Sequence, residues 1–230
     1  MSADPHGVSK RGPVVAIDGP AGAGKSTLAR ALGEELRLPY INTGVMYRSV
    51  AARALEGGLN PGDADALSRL AGELAFTLDE GSPRALLVDG RPVGSELTSA
   101  EVERLVSLVA RHPEVRSVLR AEQRRLGAGG SVIEGRDIGT VVFPDADVKV
   151  FLRAEPDERA GRRQAERRSS DPALAEALER RDSLDARTNP LVPAPDAHPV
   201  DTTGRDADEV LAEVLELVRP ALDASSPSGG

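Results

Sequence analysis

The sequence predicts an α/β domain with a central parallel sheet flanked by helices, and three observations carry that expectation. A β-branched run, Val14-Val15-Ala16-Ile17, ends in Asp18 and opens into Gly19-Pro20-Ala21-Gly22-Ala23-Gly24-Lys25-Ser26-Thr27. That stretch fits the phosphate-loop pattern G-x-x-x-x-G-K-[ST], set between a strand and a helix. Two more apolar runs, Ser131-Val132-Ile133 and Val148-Lys149-Val150-Phe151-Leu152, read as strands buried on both faces.

In chain order, Met1 to Gly12 is a polar leader expected to be loose. In the loop, glycines at 19, 22 and 24 let backbone N–H groups turn inward around phosphate oxygens, and the following helix, legible to Leu36, adds the positive end of its dipole. Lys25 supplies a point charge for β- and γ-phosphates, and the Ser26 hydroxyl is the expected protein ligand for Mg2+. The rival reading is a Gly-rich turn before a helix, which the matching context on both sides disfavours. A short strand is expected over Leu38-Pro39-Tyr40-Ile41, then a helix capped by Asn42 or Thr43 and running to about Leu55. Arg48 falls about one turn into it, where a solvated helix face is the plain alternative.

A helix is expected from Pro61 to about Ala75, then small antiparallel strands over Phe76-Thr77-Leu78, Ala85-Leu86-Leu87-Val88 and Arg91-Pro92-Val93, with a turn at Asp89-Gly90. This excursion reads as an inserted subdomain. Thr98-Ser99-Ala100-Glu101 opens a helix carrying Ser107, and Pro113 begins one that carries Arg116, Arg120, Arg124 and Arg125 and stops at Gly127. After the strand at 131–133 comes Glu134-Gly135-Arg136-Asp137-Ile138-Gly139-Thr140. Ligands of doubly wound sheets sit beyond strand carboxyl ends, so this cluster is expected to share a crevice with Lys25. The competing reading of Arg136 and Asp137 is a surface ion pair.

Past the strand at 148–152, a helix from Pro156 carries Arg159, Arg162, Arg163, Arg167 and Arg168, and a second helix is expected from Pro172 to about Ala186. They read as a lid able to close over a triphosphate, against a merely solvated face, since Glu158, Glu166 and Glu179 are interspersed. Val200-Asp201-Thr202-Thr203 is the expected last strand and Ala207 to Leu222 the last helix; Ala224 to Gly230 has the composition of a disordered tail.

Composition limits the function. The 230 residues suit one α/β domain with inserts, and a net charge of −8 disfavours a general nucleic-acid or membrane-surface binder. Cysteine is absent and the 3 histidines are far apart, which leaves no thiolate chemistry and no histidine metal site. No long apolar run or signal-peptide core is present, so a soluble, cytoplasmic protein is expected. Arginine outnumbers lysine 26 to 3, for which codon bias is the plain reading for most of them, although arginine is also the better bidentate partner for phosphate. Lysine occurs only at 10, 25 and 149, and no Asn-Lys-x-Asp segment for guanine recognition is present.

The phosphate loop, the Asn42-Thr43-Gly44-Val45-Met46-Tyr47-Arg48 segment, the run from Glu134 through Gly135-Arg136-Asp137-Ile138-Gly139-Thr140 to Asp145 and the arginine-rich stretch after 156 occur in a particular order. Together they resemble bacterial cytidylate kinase over about residues 13–222, most specifically at Gly135 to Asp145. The resemblance implies a P-loop kinase of the nucleoside monophosphate kinase family that phosphorylates CMP or dCMP from ATP with Mg2+. It implies a core of 13–59, 111–155 and 199–222, a monophosphate-binding insert at 60–110, a helical lid at 156–190 and flexible termini at 1–12 and 223–230. By resemblance, Thr43, Tyr47, Arg48 and Arg136 hold the acceptor phosphate, Ser107, Arg116 and Asp137 recognise cytosine, and Arg181 and Asp185 touch the ribose. Arg159, Arg162 and Arg163 belong to the lid that reaches ATP, which makes Lys25, Arg48, Arg136 and Arg162 the expected catalytic charges. Arg187 is a less direct match, because the stretch after Asp185 is shorter than the family pattern. Asn42 stands where an Asp often occurs, and Glu134 replaces an Asp seen in some relatives. Kinases for UMP, AMP or a non-nucleotide acceptor, and a silent nucleotide-binding module, are the alternatives; a monomer is the default.

Overall fold

The computed structural model describes residues 11–81, 84–166 and 191–225. Five strands form one parallel sheet: β1 (Val14–Asp18), β2 (Tyr40–Asn42), β6 (Ser131–Gly135), β7 (Val148–Arg153) and β8 (His198–Asp201), in the order β2-β6-β1-β7-β8. A second, antiparallel sheet joins β3 (Phe76–Leu78), β4 (Leu86–Val88) and β5 (Arg91–Pro92). The helices are α1 (Lys25–Leu36), α2 (Thr43–Glu56), α3 (Ala64–Glu73), α4 (Ala100–Ala110), α5 (Pro113–Gly127), α6 (Pro156–Glu166) and α7 (Ala207–Ser225).

The period of two along β1 distributes the core. Val14 and Ala16 face one layer, where α2, α3, α4 and α5 bring Met46, Leu67, Val106 and Leu119; Val15 and Ile17 face the other, built from α1 and α7 through Leu28, Leu32, Val210 and Val214. All four β1 side chains are essentially sealed, as a central parallel strand requires. The segment 60–110 adds Leu67, Phe76, Val102 and Val109 to the same apolar cluster as Ala16, Ile41 and Ile133.

Capping explains the helix starts. Asn42 Oδ1 accepts from Val45 N, Asp63 Oδ1 from Ala66 N and the Ser99 hydroxyl from Val102 N, at 3.2, 2.9 and 3.3 Å, and Pro113 sits in the first turn of α5. Two details differ from expectation. A single 3-10 turn, Ser95–Thr98, precedes α4. The last strand starts at His198 and ends at Asp201, because Val150 pairs with His198 and the chain leaves the ladder after Thr202 N has bonded Arg153 O. The leader before residue 11, the chain from 167 to 190 and the tail after 225 lie outside the described residues. Among the described residues no helix is long and apolar enough to cross a membrane.

Candidate active site

Register brings the three sequence motifs to one edge. Asp18 of β1 is level with Gly135 of β6, and Asn42 of β2 is level with Glu134, so the chain leaves three adjacent parallel strands at the same height. Gly19, Arg136 and Thr43 therefore emerge side by side on strands about 4.8 Å apart. Thr43 Oγ1 donates to Glu134 O at 2.8 Å, binding the second of these exits to the third. Gly135 permits that approach: a Cβ there would stand 2.7 Å from Thr43 Oγ1 and 2.6 Å from Ile138 Cδ1.

The first exit is the phosphate loop. Gly19, Gly22 and Gly24 have φ of 150°, 77° and 87°, and a Cβ on Gly19 would lie 2.6 Å from Leu152 O. Gly24 is the N-cap of α1 without a side-chain cap, which leaves the first-turn N–H groups to an outside anion. Lys25 Nζ donates to Pro20 O at 2.9 Å across the loop, and Ser26 and Thr27 are exposed. From α6, Arg159 Nη1 reaches Ala21 O at 3.4 Å, while Arg162 donates to Thr202 Oγ1 at 2.9 Å, to Thr202 O at 2.6 Å and to Glu158. Beside them lies a cavity of about 320 Å³ lined by Gly22, Gly24, Thr27, Leu28, Arg162, Thr202 and Arg205 among others, ample for a purine base.

The second and third exits build a cationic wall. Arg48, on α2, lies against the first turn, its Nη1 3.2 Å from where a Cβ on Gly44 would be. Arg136 and Asp137 follow β6 directly, and Arg120 Nη2 of α5 donates to Asp137 Oδ2 at 2.6 Å. Arg116 Nη1 donates to Ala110 O and Arg111 O at 2.9 and 3.1 Å, closing the end of α4. Burial, with Asp137 adding its negative charge, pushes the Tyr47 phenol up to about 12 against the opposing pull of Arg120 and Arg116. Ser107 is buried on α4.

Two buried carboxylates brace the edge from behind. Asp18, 6% exposed, accepts Ile138 N and Gly139 N at 2.9 and 2.8 Å, clamping the end of β1 to the turn after Asp137. Burial raises its pKa above the usual carboxylate range despite those two bonds. Glu134, 4% exposed, accepts the Tyr40 hydroxyl at 2.5 Å, and the same phenol oxygen accepts Asn42 Nδ2 at 3.1 Å. Burial first, and the neighbouring Glu134 second, raise the Tyr40 pKa, while the hydrogen bond from Asn42 opposes the shift.

The predicted loop residues, Thr43, Tyr47, Arg48, Ser107, Arg116, Arg136, Asp137, Arg159 and Arg162 belong to elements whose ends meet here. Arg163 lies on α6, its side chain outside the described residues, as are Arg181, Asp185 and Arg187. Sequence reading missed Asp18, Tyr40, Arg120 and Thr202 as members. The one available signal was Asp18, a lone acid closing an otherwise apolar strand. Among the described residues no three His, Cys, Asp or Glu side chains could together hold a metal. An exposed Ser26 hydroxyl beside a phosphate-binding loop does suit Mg2+, an ion that keeps waters and shares its shell with substrate phosphates.

A family model described as cytidylate kinase matches residues 15–220. The chain is 45% identical over 217 residues to the cytidylate kinase of Pelotomaculum thermopropionicum, covering 90% of this chain and 96% of that one. It is 45% identical to the cytidylate kinase of Geobacillus kaustophilus, covering 91% and 97%. A bifunctional pantoate ligase/cytidylate kinase of Synechococcus is 44% identical over 230 residues, and there the chain spans only 42% of the relative's length.

Proposed function

Because the chain belongs to the cytidylate kinase family, we propose that it transfers the γ-phosphoryl group of ATP to CMP or dCMP, forming ADP and CDP or dCDP. One observation carries the reading at the level of geometry. The level register of Asp18 with Gly135 sets the phosphate loop beside Arg136 at the ends of two neighbouring strands.

The acceptor phosphate is already anionic at neutral pH, so the reaction needs alignment and charge neutralisation rather than a strong general base. Backbone N–H groups of 19–27 and Lys25 hold the donor phosphates; Thr43, Tyr47, Arg48 and Arg136 hold the acceptor phosphate opposite. Ser107, Arg116 and Asp137 read the base by hydrogen bonds, which leave groups unpaired when the wrong base enters. Mg2+, when bound, would neutralise charge between the donor phosphates, with Ser26 as its protein ligand. The cavity beside Arg162 and Thr202 would take the donor base. Residues 60–110 act as the monophosphate-binding part and 156–190 as a lid whose arginines, Arg159, Arg162 and Arg163, approach the triphosphate and exclude water. Arg181 and Asp185 contact the ribose. The protein works as a cytoplasmic monomer.

Coupled ADP release with ATP and Mg2+, measured against CMP, dCMP, UMP, AMP and GMP beside Arg136→Ala, tests the reading. Strong CMP and dCMP turnover that collapses in the variant is expected. Turnover only with another acceptor overturns the cytosine assignments, and none with any acceptor overturns the kinase reading.

A further inference from the structure

We infer that Arg120 is a specificity-determining residue that holds Asp137 in place for the acceptor base, an inference that rests on the function proposed above. Arg120 Nη2 donates to Asp137 Oδ2 at 2.6 Å, and the two side chains are only 25% and 21% exposed, so water screens the pair weakly. This contact occupies Oδ2, and among the described residues no hydrogen bond reaches Oδ1, which faces a ligand as the acceptor. Arg116, one turn earlier on α5, cannot do the same work in this arrangement, because its Nη1 closes the carbonyl end of α4 at Ala110 and Arg111. Tyr47 borders the same cluster, since its phenol feels the charges of Asp137, Arg120 and Arg116 together. Arg120 Nε is buried with no hydrogen-bond partner among the described residues, a donor that the folded chain leaves unspent.

The chemistry then selects between pyrimidines. The 4-amino group of cytosine donates a hydrogen bond and suits a carboxylate oxygen; the 4-oxo group of uracil is an acceptor and meets that oxygen lone pair to lone pair. Discrimination demands that the oxygen stay where the amino group arrives. An Asp on the short run between β6 and the turn at Ile138–Val142 has rotamer freedom that the Arg120 guanidinium removes. Arg120 is thus a positioning residue acting through Asp137.

Steady-state kinetics of Arg120→Leu and Arg120→Lys, with CMP and UMP varied at saturating ATP, tests this. Loss of a hydrogen bond to a charged partner should lower kcat/KM for CMP by about ten- to a hundredfold in Arg120→Leu. The value for UMP should change by less than about threefold, since uracil never used the carboxylate as an acceptor. The KM for ATP should hold, Arg120→Lys should recover part of the loss, and calorimetric binding of CMP and UMP should repeat the ratio. If CMP and UMP fall together, or the melting temperature falls while their ratio stays, the pair is structural and the inference is overturned. Should Arg120→Leu fail to fold, Arg120→Lys is read against the same ratio. A wild-type enzyme with no preference for CMP overturns the proposed function as well, and is seen before any variant is compared.

Discussion

Replacing Tyr40 by Phe removes one oxygen and nothing else from the back wall of the site. The ring is 8% exposed and its place in the apolar layer is kept, so no cavity opens beyond the hydroxyl. Two polar groups lose a partner: Glu134 Oε1, which accepted at 2.5 Å, and Asn42 Nδ2, which donated at 3.1 Å. Glu134 matters most, since it is 4% exposed and has no easy access to water. A hydrogen bond to a charged group contributes about 1.5–3 kcal/mol, and cheaper burial of Phe offsets part of that, giving a net loss of about 1–2.5 kcal/mol. For a chain of this size each kcal/mol corresponds to about 2–4 °C, so the melting temperature should fall by about 2–10 °C. Thermal denaturation followed by circular dichroism measures the effect. A melting temperature within about 1 °C of wild type would refute the view that Tyr40 carries the load of Glu134.

Three other perturbations have defined outcomes. Gly135→Ala drives a Cβ to 2.6 Å from buried Ile138 and 2.7 Å from Thr43 Oγ1; a loss of about 1–3 kcal/mol in urea denaturation and a raised acceptor KM are expected, with a smaller change in the KM for ATP. Asp18 has a folded-state pKa above its unfolded value, so the native state binds the proton more readily and wild-type stability falls as pH rises through that window. Asp18→Asn carries no such charge, and wild type should gain on it as pH drops from 7.5 toward the usual carboxylate range; urea titrations showing the reverse trend would contradict the burial argument. Arg162→Ala frees Thr202 from α6 and removes the contact with Glu158 within that helix, and the KM for ATP should rise more than that for CMP in initial-rate kinetics.

What could be read from sequence was local. The phosphate loop, the helix cap expected at Asn42 or Thr43 and made by Asn42, and the buried strand from Val14 to Ile17 each depend on neighbours a few residues away, and each forms as expected. Strand order was not legible in that way, because β6 comes between β2 and β1 through pairings whose partners are roughly a hundred residues apart. The shared crevice was inferred from the rule for strand ends; the level register of 18 with 135 and of 42 with 134 supplies its geometry. Asp18 and Tyr40 escaped notice as site members because their partners, Gly139 and Glu134, lie 121 and 94 positions away. Arg120 was one of four arginines on a charged helix, and only the packing of α5 against the turn after Asp137 singles it out.

The central claim is that one crevice holds both phosphates, and a dinucleoside polyphosphate joining adenosine to cytidine through five phosphates measures this directly. In a calorimetric titration with Mg2+, the account predicts one-to-one binding at least about a hundredfold tighter than ATP or CMP alone, because the second nucleoside binds intramolecularly, and lost affinity in both Lys25→Met and Arg136→Ala. Binding no tighter than ATP, and unaffected by Arg136→Ala, would contradict it.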